Sequence, residues 1–399
     1  MSSFNGTPTP SAPMRVCMYT PASFGGHARY THELMTALAR AAATHGATVE
    51  LVTSADLQEE FRRGGYPIHD VLPPFGTPVT GRHRWFRWAI SRAAVARRRS
   101  RVLRKWFAKA AGVTHIHFQA YAPWRAGRDF QRFRRCGLRL VYTVHNVRPH
   151  KYPMGIPRWL FDYWNRRGWS LCDGLIVHTE GLRKELAGFL GESAPSIFVV
   201  PHGVWTSASE ENRIMQRPEG RSRNRLLFFG AIRANKGLDV LLRALEWLPD
   251  VTLTVAGRPE DAQYWQRVKA QLAEARPAQV EILDQFVEAD ELGSLFARSD
   301  ALVLPYTEFA AQSGVLCDAL AHGLPVVASD TGGLGESVRT WGIGEVVPPG
   351  DPAALADGIR RLLAPRRYWT AVAAVYRSSE ELSWERSAQL TLEVYRAVW

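Results

Sequence analysis

The chain has 399 residues, 46% of them hydrophobic, with 14 tryptophans and a formal net charge of +12. That length predicts two to three globular domains with substantial cores, and no apolar run is long enough to span a membrane. Cys17, Cys136, Cys172 and Cys317 are too scattered for a metal or redox motif, and their scatter suits a reducing compartment. The charge is split: residues 1–200 carry 29 Lys/Arg against 12 Asp/Glu, and residues 201–399 carry 21 against 26, which predicts different partners for the two halves.

Residues 1–13 are uncharged and rich in Ser, Thr and Pro, a loose tail rather than a signal peptide. Met14–Tyr19 reads as a strand. A loop with Gly25 and Gly26 follows, then a helix from about Ala28 to His45 and a strand over Thr48–Thr53. This unit lacks the full dinucleotide fingerprint, but its glycines let a ligand approach the backbone closely. From Val71 to Arg128 there is no acidic residue. Within it, Gly81–Phe107 carries ten cations, among them Arg82, Arg97, Arg98, Arg99 and Arg101, interleaved with Trp85, Trp88, Trp106 and Phe107. A basic helix with Trp and Phe fits an interfacial membrane element. A nucleic-acid surface and a solvated face whose aromatics pack on the core are the competing readings.

Val113–Phe118 and Leu138–His145 read as further strands, the second ending Thr143-Val144-His145-Asn146. Ligands of open α/β sheets bind at strand carboxyl ends, which makes His145 a site candidate. A helix over Arg158–Leu171, a strand Gly174–His178, a helix Glu180–Leu190 and a strand Ser196–Val200 complete the first half, and Pro201–Val204 closes it. Residues 205–224 are polar and patternless, a linker.

The strand–helix pattern then restarts. Strands are expected at Leu226–Phe229, Thr252–Ala256, Val280–Leu283, Ala301–Leu304, Leu324–Ala328 and Gly342–Val347, with Gly332 and Gly333 in a loop. Arg233 and Lys236 sit between a strand end and a helix, where two cations beside free helix N–H groups form a pyrophosphate clamp. Gln312, Ser313 and Gly314 lead into an apolar helix, Val315–Ala321, whose N-terminus suits a phosphate. Trp384–Trp399 reads as a terminal amphipathic helix.

These residues together resemble the retaining glycosyltransferases of family 4, with the GT-B architecture. The carrying pieces are Gly25-Gly26, Thr143–Asn146, Val200–Val204, Phe229–Arg233 with Lys236-Gly237, Val255–Gly257, Ser313-Gly314, Asp318–Ala328 and Gly332-Gly333 with Glu336. The resemblance implies two doubly wound Rossmann-like α/β domains facing one cleft: residues 14–204 on the acceptor side, and residues 225–383 binding a nucleotide diphosphate sugar. The helix over residues 384–399 would pack back on the first domain. It implies that Gly25 and Gly26 border the cleft, that His145 lies by the donor sugar, and that Arg233 and Lys236 hold the diphosphate. Phe286 and Val287 would pack on a nucleobase, and Ser313, Gly314 and Val315 would contact sugar or phosphate. Asp318 matches the second acid of the family's Glu-x7-Glu motif and would bond the ribose. The first acid falls on Ala310, so Glu308 or Gln312 would stand in for it toward the sugar.

The reaction expected is transfer of a sugar from a UDP- or GDP-linked donor to an acceptor hydroxyl, with retention. It would need no cofactor or metal, because Arg233, Lys236 and helix N-termini neutralise the leaving diphosphate. The basic stretch adds an expectation of a lipid-linked saccharide acceptor at an anionic cytoplasmic membrane face, in surface polysaccharide assembly. A sugar-nucleotide epimerase or hydrolase on the same plan is the alternative. The acidic second half argues against a nucleic-acid partner.

Overall fold

The computed structural model describes residues 14–74, 84–107, 112–117, 123–149, 152, 156–204, 222–274, 279–287, 289–308 and 313–399. Two parallel sheets organise them. The first joins β1 (Arg15–Tyr19), β2 (Thr48–Ser54), β3 (Ile68–Leu72), β4 (Val113–His117), β5 (Arg139–Thr143), β6 (Gly174–Val177) and β7 (Ser196–Val199) in the order β3-β2-β1-β4-β5-β6-β7. The second joins β8 (Arg225–Phe229), β9 (Thr252–Ala256), β10 (Val280–Leu283), β11 (Ala301–Leu304), β12 (Val326–Ser329) and β13 (Gly344–Val347) in the order β10-β9-β8-β11-β12-β13. Central strands such as β6 and β11 are buried at every position, which is why they read as unbroken apolar runs.

In each sheet the strand order reverses once, between β1 and β4 and between β8 and β11. Such a reversal splays the following loops apart and opens a crevice at the strand carboxyl ends. One apolar core runs through both halves, from Met18, Tyr30 and Leu34 to Leu304, Leu316, Val326 and Leu392. Two further cores fill one side of each sheet.

The C-terminal helix α13 (Trp384–Val398) returns to pack on α1 (Gly25–Ala43) of the first half. Ser383 caps it through its hydroxyl, which accepts from Arg386 N at 3.1 Å. Trp384, Ala388, Leu392 and Tyr395 recur at helical spacing and are all buried. Two hydrogen bonds pin the return: Ser387 Oγ donates to Pro201 O at 2.8 Å, and Val204 N donates to Leu382 O at 2.7 Å.

Five elements depart from the sequence expectation, one of them a helix over Pro123–Arg135 where no element was expected. Strand β3, Ile-His-Asp-Val-Leu, is broken by two polar residues and lies at the sheet edge, where among the described residues it pairs only with β2 and needs no unbroken apolar run. Helix α1 starts at Gly25, three residues early, after Phe24 in extended conformation; Gly25 and Gly26 therefore form its first turn rather than a loop. Gly332 and Gly333 likewise open a helix, α10 (Gly332–Trp341), held by the buried Leu334 and Val338 at i, i+4. A proline-led helix, α12 (Pro365–Glu381), precedes α13. Among the described residues no helix is long and apolar enough to cross a membrane.

Candidate functional site in the cleft between the two sheets

Four histidines gather at the strand carboxyl ends of the first sheet, His27 and His145 partly exposed and His178 and His202 buried. His27 lies in the first turn of α1, His145 two residues beyond β5, His178 next after β6, and His202 three residues beyond β7. Tyr30, one turn along α1 from His27, is the hub. Its ring meets those of His145 at 5.0 Å, His178 at 5.5 Å and His202 at 4.9 Å, between centroids. Trp384 of α13 closes the group, 5.1 Å from both Tyr30 and His202. Burial pushes His27 and His178 down to about 4 and, with His178 nearby, His202 to about 3. These three rings are therefore neutral across the physiological range. Neutral imidazoles at this spacing pack edge-on and tilted without the repulsion that imidazolium ions would bring.

The second sheet supplies the facing wall. The loop after β8 turns through Arg233, Asn235 and Lys236 into α6 (Leu238–Ala244). Gly237 sits between them in the left-handed region (φ 67°), and an added Cβ there would strike the carbonyl of Pro305. Two hydrogen bonds join this loop to the one after β11: Thr307 N donates to Asn235 O at 3.1 Å, and Asn235 Nδ2 donates to Glu308 O at 3.3 Å. Arg233 pairs with Glu260 at 2.7 Å, both about half exposed. Lys236 Nζ lies 3.7 Å from the centroid of the buried Tyr306 ring. Tyr306 in turn hydrogen-bonds Ser313 Oγ at 3.2 Å, the extended residue before α9 (Gly314–Ala321). The loop cations and the N-terminal end of the α9 dipole together offer positive potential to an anion.

Asp318, one turn into α9, pairs across the cleft with Arg29 of α1 at 3.7 Å. Burial raises its carboxyl to about 6, against the pull of Arg29. Cys317 approaches His202 Nδ1 at 3.4 Å. A second crossing lies at α10. Both oxygens of Glu336 accept from Gly181 N, at 2.9 and 3.0 Å, at the N-terminus of α5 (Glu180–Leu190).

Several residues singled out in the sequence thus meet in one place. His145, Gly25 and Gly26 stand on one side, and Lys236, Ser313, Gly314, Val315 and Asp318 on the other; Val315 packs beside Gly230. Phe286 is 68% exposed, while Val287 packs against the shared core. Glu308 is exposed at the loop end, and Gln312 lies outside the described residues. Sequence reasoning passed over His27, His178, His202, Tyr30, Arg29 and Trp384. His178 and His202 follow strand ends, the same signal that marked His145. Nothing local marks Tyr30 or Arg29, which sit mid-helix.

The basic stretch divides. Helix α2 (Arg84–Phe107) leaves Arg97, Arg98, Arg101 and Lys105 exposed. Arg82 and the side chains of Trp85 and Trp88 lie outside the described residues. Arg99 corrects the membrane assignment. It is 4% exposed, with Nε donating to Pro73 O at 2.8 Å and Nη2 to Ser54 Oγ at 3.1 Å. Leu103 and Phe107 are buried beside it, and Trp106 packs at a tilt against His69, 4.5 Å between ring centroids. This end of α2 follows the reading in which aromatics pack on the core, with three of its arginines turned outward.

Comparison with known proteins agrees with this architecture. Residues 24–208 match the family described as "Glycosyltransferase Family 4", and residues 223–365 match "Glycosyl transferases group 1". The chain is 28% identical over 421 residues to a glycogen synthase of Mycobacterium tuberculosis, covering 96% of this chain and 95% of the relative. It is 32% identical over 271 residues to a phosphatidyl-myo-inositol mannosyltransferase of Mycobacterium leprae, covering 65% and 67%. Among solved structures, a sucrose-phosphate synthase of Thermosynechococcus elongatus superposes with a TM-score of 0.71 at 20% identity, covering 96% and 99%. An Anabaena protein, HepE, solved with UDP-glucose, gives 0.66 at 16% identity, covering 96% and 100%. The chain belongs to glycosyltransferase family 4 and is a glycosyltransferase of the GT-B architecture.

Proposed function

We propose that this glycosyltransferase moves a sugar from a nucleotide diphosphate donor to the hydroxyl of a lipid-linked saccharide at an anionic membrane surface, with retention and without a metal ion. The observation that carries the donor side is the placing of Lys236 over the Tyr306 ring, which bonds Ser313 at the start of α9, with Arg233 in the same loop as Lys236. Cations and helix N–H groups stabilise a departing diphosphate as its charge develops. That some structures of this fold contain UDP or UDP-glucose supports the same donor class. Retention follows the behaviour of the family.

The acceptor side rests on the surface of the first half. Beside the outward arginines of α2, helices α3 (Pro123–Arg135) and α4 (Arg158–Trp169) pack together and expose Trp124, Trp159 and Tyr163. Arg128, Arg132, Arg158 and Arg166 are exposed among them. Cations that meet headgroups and rings that sit at their level form the composition of an interfacial surface. A relative named phosphatidyl-myo-inositol mannosyltransferase supports a lipid.

The test has two arms. Activity with nucleotide sugars and lipid-linked acceptors is assayed with and without EDTA, and the anomeric configuration of the product is read by NMR; full activity in EDTA and a retained configuration are expected. Vesicles with and without anionic lipid are sedimented with the protein. Neutralising Arg97, Arg98 and Arg101 together should weaken vesicle binding by about 1 kcal/mol per charge before salt screening. Arg99→Ala should instead lower stability, by about 2–4 kcal/mol, through loss of buried bonds. Wild-type protein that stays in the supernatant with anionic vesicles, and glycosylates small free acceptors efficiently, would reject the lipid reading. Hydrolysis or epimerisation without acceptor transfer would reject the reaction.

A further inference from the structure

The histidine cluster carries a chain of hydrogen bonds with a fixed direction. His178 Nδ1 lies 2.9 Å from Val200 O. A carbonyl oxygen only accepts, so Nδ1 carries the proton. Burial holds His178 near a pKa of about 4, so the ring has one proton and its Nε2 is a bare lone pair. That Nε2 faces His145 Nδ1 at 3.0 Å. Two lone pairs cannot face each other at this distance, so His145 Nδ1 must be the donor.

The anchor of this chain does not move freely. Val200 is 1% exposed, and its own N–H donates to Val177 O at 2.8 Å, one residue before His178. The β6–β7 pairing therefore sets the position of the carbonyl that orients His178. The rings around His145 hold its plane: Tyr30 meets it at 82° and His27 at 62°.

We infer that His178 is a positioning residue that locks His145 in the Nδ1–H tautomer, so that His145 Nε2 meets a donor-sugar hydroxyl as a hydrogen-bond acceptor. The sugar contact rests on the function proposed above; the tautomer does not. The opposite tautomer would present an N–H and select an acceptor atom. The locked ring selects a group that owns a proton, and so distinguishes a hydroxyl from a hydrogen, a fluorine or an ether at the same carbon. One buried histidine, remote in sequence, thereby sets which chemistry the cleft reads.

Long-range 1H–15N correlation NMR on 15N-histidine-labelled full-length protein reads the tautomers directly, with His145 assigned from the signals lost in His145→Gln. Both His145 and His178 should show a pyrrole-type Nδ1 and a pyridine-type Nε2. A pyrrole-type Nε2 on His145 in the wild type overturns the inference, with no need for any substrate. The second measurement compares kcat/KM for the nucleotide sugar with that for analogues lacking one sugar hydroxyl at a time. One position should show a preference of about tenfold, the scale of a single hydrogen bond. In His178→Leu that preference should fall toward one while nucleotide affinity holds, and His178→Gln, whose amide oxygen accepts, should restore it. A His178→Leu enzyme with its preference intact overturns the inference, as does a folded His178→Gln enzyme that restores nothing. If His178→Leu does not fold, the wild-type spectrum and the Gln variant still decide. If no nucleotide sugar is turned over at all, the proposed function fails while the spectrum still decides the tautomer.

Discussion

At the residue scale, the cleft is governed by burial of groups that titrate. Asp318 is the sharpest case. Its carboxyl is raised to about 6 by burial, above the value of about 4 expected in an unfolded chain. The folded protein therefore holds this proton more tightly than the unfolded chain does. The favourable contribution is present in full below about pH 4 and is lost as pH rises through 6. Asp318→Asn has no such dependence. Its stability relative to wild type should climb between pH 4 and 6 and then stay level, by roughly 2–3 kcal/mol in all, with the pull of Arg29 already contained in the raised value. Denaturant melts of both proteins across that range measure it; a flat difference would mean that Asp318 is ionised as easily as in water.

Arg233 and Lys236 work at the same scale but through the ligand. On the function proposed above each offers a charge-assisted bond to a diphosphate, so Arg233→Ala and Lys236→Ala should each lose about 1.5–3 kcal/mol of transition-state stabilisation, roughly ten- to a hundredfold in kcat/KM. Arg233 must first leave Glu260. Glu260→Gln should therefore tighten nucleotide binding modestly. Equal catalytic efficiency in the wild type and both alanine variants would remove the clamp.

At the element scale, helix termini decide where the halves touch. Helix α5 begins with Thr179, whose hydroxyl accepts from Leu182 N at 3.1 Å, and Glu336 of the other half takes the next free donor, Gly181 N. A carboxylate at a helix N-terminus contributes up to about 2 kcal/mol in a partly buried setting. Glu336→Ala should lose that and let α10 and α5 part. Gly181→Ala should do the same by a different route, since an added Cβ lands on the Glu336 carboxylate. On helix propensity alone, Gly→Ala would be stabilising by up to about 1 kcal/mol, so the sign of its effect is diagnostic. Solution scattering should show a larger radius of gyration for both variants. Unchanged scattering together with a stabilised Gly181→Ala would show that the crossing holds nothing.

At the scale of the whole molecule, the chain ends on the half where it began. Trp384 is 3% exposed although it follows the second sheet, because Tyr30, His202 and Gly203 of the first half surround it. Trp384→Ala removes a large buried ring and should cost about 3–5 kcal/mol. The loss should appear in the first half as well, read by hydrogen exchange of α1. Protection of α1 that stays at the wild-type level would mean that α13 is an appendage rather than a tie. The same packing explains how four histidines share one site. His27 lies in α1 and the other three follow different strands, and only the convergence of those strand ends on α1 brings them together.

The sequence by itself determined the layered parallel architecture and much of the cleft wall. Unbroken runs such as Ala301–Leu304, closed by Pro305, suit strands buried on both faces, and in open sheets of such strands ligand-facing loops follow their carboxyl ends. That reasoning reached His145, Lys236 and Ser313 because strand ends and helix starts are local signals. The tertiary structure alone decided the rest. Arg99 reads like its neighbours Arg98 and Arg101, yet it is buried because its helical phase points it at Ser54 and Pro73, 45 and 26 residues away. Asp318 meets Arg29, Glu336 meets Gly181, and His178 orients His145 across separations that no local pattern spans. Periodicity fixes which side of an element is buried; the partner found there depends on how whole sheets and helices pack, and that is where this site acquires its chemistry.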